Sequence, residues 1–297
     1  MEAVFVNVVS PGDPVVIGVN GVFGERMCDV AARAGAEVVR VDEPWGRASD
    51  PERLAEAHPS PALIAVVHPE TSTGVRNDVT GLAEAKGDAL LLIDCVTSLG
   101  GIEVSIDDWG VDLAYSGTQK CLGVPPGLAP VTVSDRARSR IVERPQSWYL
   151  DLNMIARYVT GEGARAYHHT APISMVYALH AGLSAVLAEG LEVGWARHQA
   201  CGEALQAGLV ERGFELFAQE GHRLPELTTV RVPHDRLPAG TTEADVRRRL
   251  LTDYGIEIGG GLGPVAGEVW RVGCMGHTAR QRNVTLLLAA LDDLLEG

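Results

Sequence analysis

The sequence predicts an α/β protein with a large domain over residues 1–190 and a smaller α+β domain over residues 191–297. Three observations predict it. Short apolar runs alternate with helical patterns through the first half, the mark of a mainly parallel sheet with crossover helices. After residue 190 the character changes to one long amphipathic helix and a few strand-like runs. At 297 residues, 46% hydrophobic and 22% charged, the chain is ordinary globular material that buries a sizeable core without disulfides or metals.

The elements follow in order. Residues 1–9 pattern as a helix without a cap, running into the turn Ser10-Pro11-Gly12-Asp13. Residues 15–19 read as a strand, 24–34 as a helix closed by Gly35, and 37–41 as a second strand. Leu63–Val67 and residues 90–93 are buried-strand runs, 112–115 is a shorter one, and Val131–Val133 is another. Helical spacing covers 174–189, ending near Gly190, and 194–212. Strands follow at 227–232 and 268–273, and helices at 242–254 and 279–296, with Thr242 and Thr278 as caps.

Composition excludes several function classes. A net charge of −14 argues against nucleic acid, which needs a basic footprint. No apolar run approaches the roughly 18 residues of a membrane-spanning helix. No basic segment followed by an apolar stretch opens the chain, so a secretory leader is not expected. The five cysteines are scattered with no CxxC pair, which fits a reducing cytoplasm better than a disulfide framework. His168-His169 would point to opposite faces of a strand, so no shared metal is expected. The run Gly259-Gly260-Gly261-Leu262-Gly263 does not open a helix after a strand and reads as a turn. Arg247-Arg248-Arg249 reads as a solvated helix face.

Ligands of an open parallel sheet bind beyond the carboxyl ends of its strands. Three polar clusters stand there: His68-Pro69-Glu70-Thr71-Ser72-Thr73-Gly74, then Asp94 with Thr97-Ser98-Leu99-Gly100-Gly101, then Ser116-Gly117-Thr118-Gln119-Lys120. Asp94 follows four apolar residues directly, and a carboxylate buried there needs a cation or donors. A lysine in a desolvated loop has a lowered pKa and acts as an amine nucleophile. A lysine that condenses with an aldehyde, and an aspartate bonding a pyridinium nitrogen, are what a pyridoxal-phosphate site requires. On spacing alone, a helix-capping Asp94 and a surface Lys120 remain the alternative. His68 reads equally as a core histidine or a neighbour of that site.

The string from Leu91 to Gly127 resembles the class V pyridoxal-phosphate aminotransferases, closest to the alanine–glyoxylate group. Further matching strings are Gly21-Val22-Phe23-Gly24-Glu25-Arg26, Glu70 to Val75, Tyr167-His168-His169-Thr170, and Glu257 to Gly263 leading into Trp270-Arg271-Val272-Gly273. The resemblance covers essentially the whole chain and implies the type I fold of that cofactor class. It implies Lys120 as the lysine that bonds the cofactor and shuttles the proton, with Asp94 as partner of the pyridine nitrogen. It implies Thr71 beside the phenolic oxygen, Gln119 at the phosphate and Phe23 stacked on the ring, where the group usually has tryptophan. Tyr167 and Thr170 match residues that reach the phosphate of a neighbouring subunit, which implies a homodimer with shared sites. Arg271 matches the arginine that clamps the substrate carboxylate, a task suited to a planar guanidinium.

The implied reaction is amino-group transfer from alanine or serine to glyoxylate or pyruvate. Against the family pattern the chain starts just inside the helix whose Ser-Gly-rich loop cradles the phosphate. Weaker cofactor binding, by several kcal/mol if each charge-assisted bond is worth about 1.5–3, and a weaker dimer are therefore expected. The alternatives are a non-catalytic fragment, or a pyridoxal-phosphate lyase or cysteine desulfurase, with Cys95 and Cys121 beside the key residues.

Overall fold

The computed structural model describes residues 1–161 and 166–296. α1 (Glu2–Val8) buries Val4, Phe5, Val6 and Val8. β1 (Pro14–Val19), α2 (Val22–Arg33) and β2 (Glu37–Asp42) follow. α3 (Pro51–Glu56) starts at Asp50, whose carboxylate accepts from the Glu52 N–H at 2.9 Å. Then come β3 (Leu63–Val67), the short hairpin β4 (Pro69–Glu70) and β5 (Val75–Arg76), α4 (Leu82–Ala85), β6 (Leu90–Asp94), β7 (Leu113–Tyr115), β8 (Val131–Val133) and α5 (Asp135–Arg138). The main sheet has six strands in the order β2-β1-β3-β6-β7-β8, parallel except for antiparallel β8.

Alternate residues of the sheet feed two separate cores. Val15, Ile17, Leu63, Ala65, Leu90 and Leu92 pack on one face with α1 and α2, while Val16, Ile64, Val66, Leu91 and Ile93 pack on the other. Both faces being covered, β3 and β6 are buried at every position, hence their unbroken apolar runs. Each such side chain contributes roughly 1.5–3 kcal/mol of burial. Asp112 locks the far end of β7, accepting from Lys86 at 2.8 Å, Arg136 at 2.6 Å and the Leu91 N–H at 2.9 Å. Those two cations hold its carboxyl well below the usual range.

The second half opens with α6 (Leu152–Thr160), capped by Asp151 and closed at left-handed Gly161. Asn7 of α1 donates to the Leu150 carbonyl at 2.7 Å and accepts from the Leu152 N–H at 2.9 Å, which ties this helix to the large core. α7 (Ile173–Glu189) and α8 (Leu191–Glu211) meet at 86° about Gly190. β9 (Leu227–Arg231), α9 (Glu243–Tyr254), β10 (Gly259–Gly260), β11 (Val269–Gly273) and α10 (Gln281–Glu296) complete the chain. The antiparallel sheet β10-β11-β9 shares a core with α8, α9 and α10 around Leu205, Leu209, Val246, Trp270, Val272, Leu287 and Leu291. No single helix among the described residues is long and apolar enough to cross a membrane.

Of the two threonines expected as helix caps, one caps its helix and one does not. Thr242 caps α9 in a reciprocal box with Asp245. Thr278 does not cap α10: it belongs to a short 3-10 turn, its hydroxyl donates to the Met275 carbonyl at 2.7 Å, and the helix begins at Gln281. The segments at α3, α4, α5 and α6 were too short or too weakly patterned to stand out, although Asp50, Ser134 and Asp151 carry cap signals.

Candidate active site

The three polar clusters do converge. Val67, Pro69 and Thr71 at and beyond the end of β3, Asp94, Val96 and Thr97 at and beyond the end of β6, and Ser116, Gly117, Gln119 and Lys120 beyond β7 line one cavity of about 490 Å³. Met1, Phe23 and Arg26 line it as well. Parallel strands put these loops side by side: Val67 is in register with Asp94, and Asp94 with Tyr115.

Asp94 is buried, and its Oδ1 accepts from the Val96 N–H at 2.8 Å. The bland expectation of a helix cap is not met, since no helix follows it. Burial pushes its carboxyl up, with Arg26 and the Val96 N–H acting in the opposite direction. A cation arriving in the cavity would restore the charged form. Tyr115 stands beside it, buried, with its phenol pushed well up by burial and by Asp94.

Phe23 is positioned by a residue whose role the sequence reading missed. Glu70 is fully buried; its Oε2 accepts the N–H groups of Phe23 and Gly24 at 3.1 Å each, and its Oε1 takes the Ser72 N–H at 3.1 Å and hydroxyl at 2.5 Å. The carboxylate satisfies the open amides at the start of α2, which is why that helix begins at Val22 rather than residue 24. Gly21 is required here, because a Cβ would lie 2.4 Å from both Glu70 Cδ and Ser72 Oγ. Arg26 lies over the Phe23 ring, 5.0 Å from its centre. The string Glu70 to Val75 held the signal, but a carboxylate aimed at a helix 46 residues away is not visible in spacing.

Lys120 is half-buried in the loop after β7. Burial, and then the nearby Arg271, lower its pKa. Arg271 sits on β11, where its Nε donates to the Gly260 carbonyl at 2.8 Å and its Nη1 reaches the carbonyl of Thr71 at 3.4 Å. It thus bridges the small sheet to the cavity wall. The glycine run is a paired strand and a tight turn: a Cβ on Gly261 would lie 1.8 Å from the Val265 carbonyl oxygen.

Other candidates lie elsewhere. Tyr167 and Thr170 bond each other at 2.8 Å on the surface, outside this cavity. His68 is a core histidine, bonded to Ser98 at 3.0 Å and set edge-on to Trp109, and burial pushes its pKa down to about 4. His168 and His169 are not on a strand, so the expected divergence fails: their rings meet Nδ1 to Nδ1 at 2.8 Å, and His168 stacks on Trp148. All five cysteines are buried, and burial pushes Cys95 up to about 12 and Cys121 well above its ordinary value. Arg248 and Arg249 pair with Asp245 and Asp253 on the exposed face of α9, while Arg247 is half-buried beside Glu243.

Known proteins are similar to this chain in sequence and fold. The family model for class-V aminotransferases matches residues 1–275. The alanine–glyoxylate aminotransferase of Drosophila melanogaster is 38% identical over 100% of this chain and 77% of its own length. The (S)-ureidoglycine–glyoxylate transaminase of Bacillus subtilis is 37% identical over 99% of this chain and 75% of its own. The crystal structure of an alanine–glyoxylate aminotransferase from Nostoc superposes with a TM-score of 0.92 at 46% identity, covering 99% of this chain and 78% of that one. The fold is that of the type I pyridoxal-phosphate enzymes, and the chain belongs to the class V aminotransferases, which depend on that cofactor.

Proposed function

We propose that this enzyme moves the amino group of a small amino acid, alanine or serine, to a small 2-oxo acid, glyoxylate or pyruvate. One observation carries the reading: a buried carboxylate and a half-buried amine line one cavity, with an arginine reaching its wall. The donor set fits pyridoxal phosphate, since Asp94 offers a partner for a protonated pyridine nitrogen and Phe23 a flat apolar wall. Thr71 and Gln119 stand in the same cavity for the phenolic oxygen and the phosphate. When bound, the cofactor supplies the electron sink for the pair released when the α-proton leaves.

The chain's own residues do the rest. Lys120, its pKa lowered by burial and by Arg271, presents a neutral amine more readily than a surface lysine does. Lys120 would hold the cofactor, and its Nζ is the group placed to take and return the substrate's α-proton. Arg271, oriented by the Gly260 carbonyl, holds the substrate carboxylate. The small donor is favoured by the alanine–glyoxylate relatives, and the (S)-ureidoglycine–glyoxylate relative leaves ureidoglycine open.

A homodimer completes the site in this reading. Tyr167 and Thr170 face outward, as residues serving a neighbour's phosphate would, and Ile173, Val176, Tyr177 and Leu187 leave α7 apolar and uncovered. A thiol-based desulfurase lacks support, because no cysteine is presented as a nucleophile. The free cysteines suit a reducing cytoplasm. The test is Lys120→Ala, assayed with alanine and glyoxylate and separately with serine and pyruvate. Turnover falls by roughly three or more powers of ten; full retention overturns the assignment.

A further inference from the structure

Behind the Lys120 loop lies a second cavity of about 440 Å³, walled by Cys121 to Gly123, the ends of α7 and α8, and the turn at Gly276. Two adjacent side chains of α8 cross to that turn. Arg197 pairs with Glu189 through Nε at 2.5 Å and Nη2 at 2.8 Å, and its Nη1 donates to the carbonyls of Gly276 at 2.8 Å and Ala279 at 2.9 Å. His198 is buried and in contact with the Gly194 carbonyl at 2.6 Å and the Gly276 N–H at 2.9 Å. A carbonyl only accepts and an amide N–H only donates. Nδ1 therefore carries the proton and Nε2 is the acceptor, one tautomer of the neutral ring.

Gly276 is the contact point. Both its backbone polar groups are taken by α8, its φ is +59°, and a Cβ there would stand 3.2 Å from the Cys121 carbonyl oxygen and 3.3 Å from that of Lys120. The turn therefore lies directly on the backbone that carries Lys120. The loop's own bonds, Gly123 N–H to the Lys120 carbonyl at 3.0 Å and Val124 N–H to that of Thr118 at 3.1 Å, close it on the other side.

We infer that His198, together with Arg197, is a positioning residue for the reaction: it fixes the Gly276 turn, and the turn fixes the Lys120 backbone. The inference rests on the reading of Lys120 as the reacting amine. It makes the small-domain helix α8 a support for the chemistry without contact with substrate. Protonation of His198 breaks the clamp, because the charged ring no longer accepts from Gly276. The charged and titratable groups that line this cavity with His198 are Arg197 of α8, Glu189 at the end of α7, Cys121 of the loop, and His277 and Arg280 at the turn. Burial, and then Arg197, lower the His198 pKa against the opposing bond to Gly194.

The experiment follows amide hydrogen exchange of residues 117–124 and of Gly276 in the cofactor-free chain, from pH 7 down through the histidine range. Three chains are compared: the parent, His198→Leu and His198→Gln. Gln keeps an acceptor at the Nε2 position and does not titrate. His198→Leu exchanges roughly tenfold faster in that segment, as loss of one buried bond implies. At each pH, His198→Gln stays within about threefold of the parent's protection relative to the intrinsic exchange rate, and it lacks the parent's loss of protection in acid. A His198→Leu chain with unchanged circular dichroism and unchanged exchange at 117–124 overturns the inference, as does a Gln chain that behaves like Leu. Because the readout needs no cofactor and no turnover, its failure is distinct from failure of Lys120→Ala.

Discussion

The carboxyl end of the main sheet and the outer face of α7 break the usual partition of residues in opposite directions. At the sheet end, Glu70 is 0% and Asp94 4% exposed. Along α7, Tyr177 is 74% and Leu187 71% exposed. The first departure is answered within the chain, where Glu70 accepts four hydrogen bonds and Asp94 is held beside a cavity. The second has no answer among the described residues. Buried polar groups need partners and large exposed apolar patches mark interfaces, so the first region is a built cavity and the second is the face the proposed homodimer would cover. The difference teaches that function here is divided: chemistry resides in one sheet end, and its completion is proposed to come from a second copy.

The largest expected effect breaks the first region. Asp94→Ala leaves the cavity without its counter-charge, and the alanine–glyoxylate rate is expected to fall by about two to three powers of ten with weaker cofactor binding. A rate within a fewfold of the parent would remove Asp94 from the mechanism. The second effect addresses the other region. Tyr177→Asp with Leu187→Asp puts charges on the apolar face, and sedimentation is expected to show dissociation to monomers, with activity falling about tenfold or more as shared sites are lost. Unchanged sedimentation would show that this face is not the contact.

The third and smallest effect sharpens the comparison inside the core. Glu226 is as buried as Glu70, yet neither of its carboxyl oxygens has a hydrogen-bond partner among the described residues. It lies where a Cβ on Gly101 would meet both its side chain and Cys121 Sγ. Burial pushes its pKa up to about 8 from an ordinary 4.5. The folded chain then binds a proton that the unfolded chain releases, so stability falls as pH rises through that window and is highest below it. Glu226→Gln is expected to flatten this slope, gaining a few kcal/mol at most near pH 8 and little near pH 5. Thermal melts from pH 5 to 9 check it, and parallel curves for the two chains would refute the assignment. Burial pushes the Glu70 carboxyl up as well, but there the Ser72 and Gly24 hydrogen bonds act in the opposite direction, and no such side-chain partner serves Glu226 among the described residues.

Much of the fold was legible because local patterns point one way. Unbroken apolar runs marked β3 and β6, Gly35 and Gly190 marked helix ends, and Thr242 marked a cap, which Asp245 completes in the structure. Thr278 misled because a threonine before a helical pattern serves equally as the last residue of a 3-10 turn. His168-His169 misled because a strand was assumed where the chain is irregular.

The sequence by itself determined the class of the fold, the three polar clusters at successive strand ends, and Asp94 and Lys120 as the pair to watch. Periodicity and turn residues act over a few positions, and these features are written at that range. Only the tertiary structure decided that Glu70 anchors the first turn of α2, that Arg271 reaches the Thr71 carbonyl, and that His198 holds the turn on which the Lys120 backbone lies. Those contacts join residues 46, 200 and 78 positions apart. They depend on which surfaces the packed core brings together, and no local pattern carries that information.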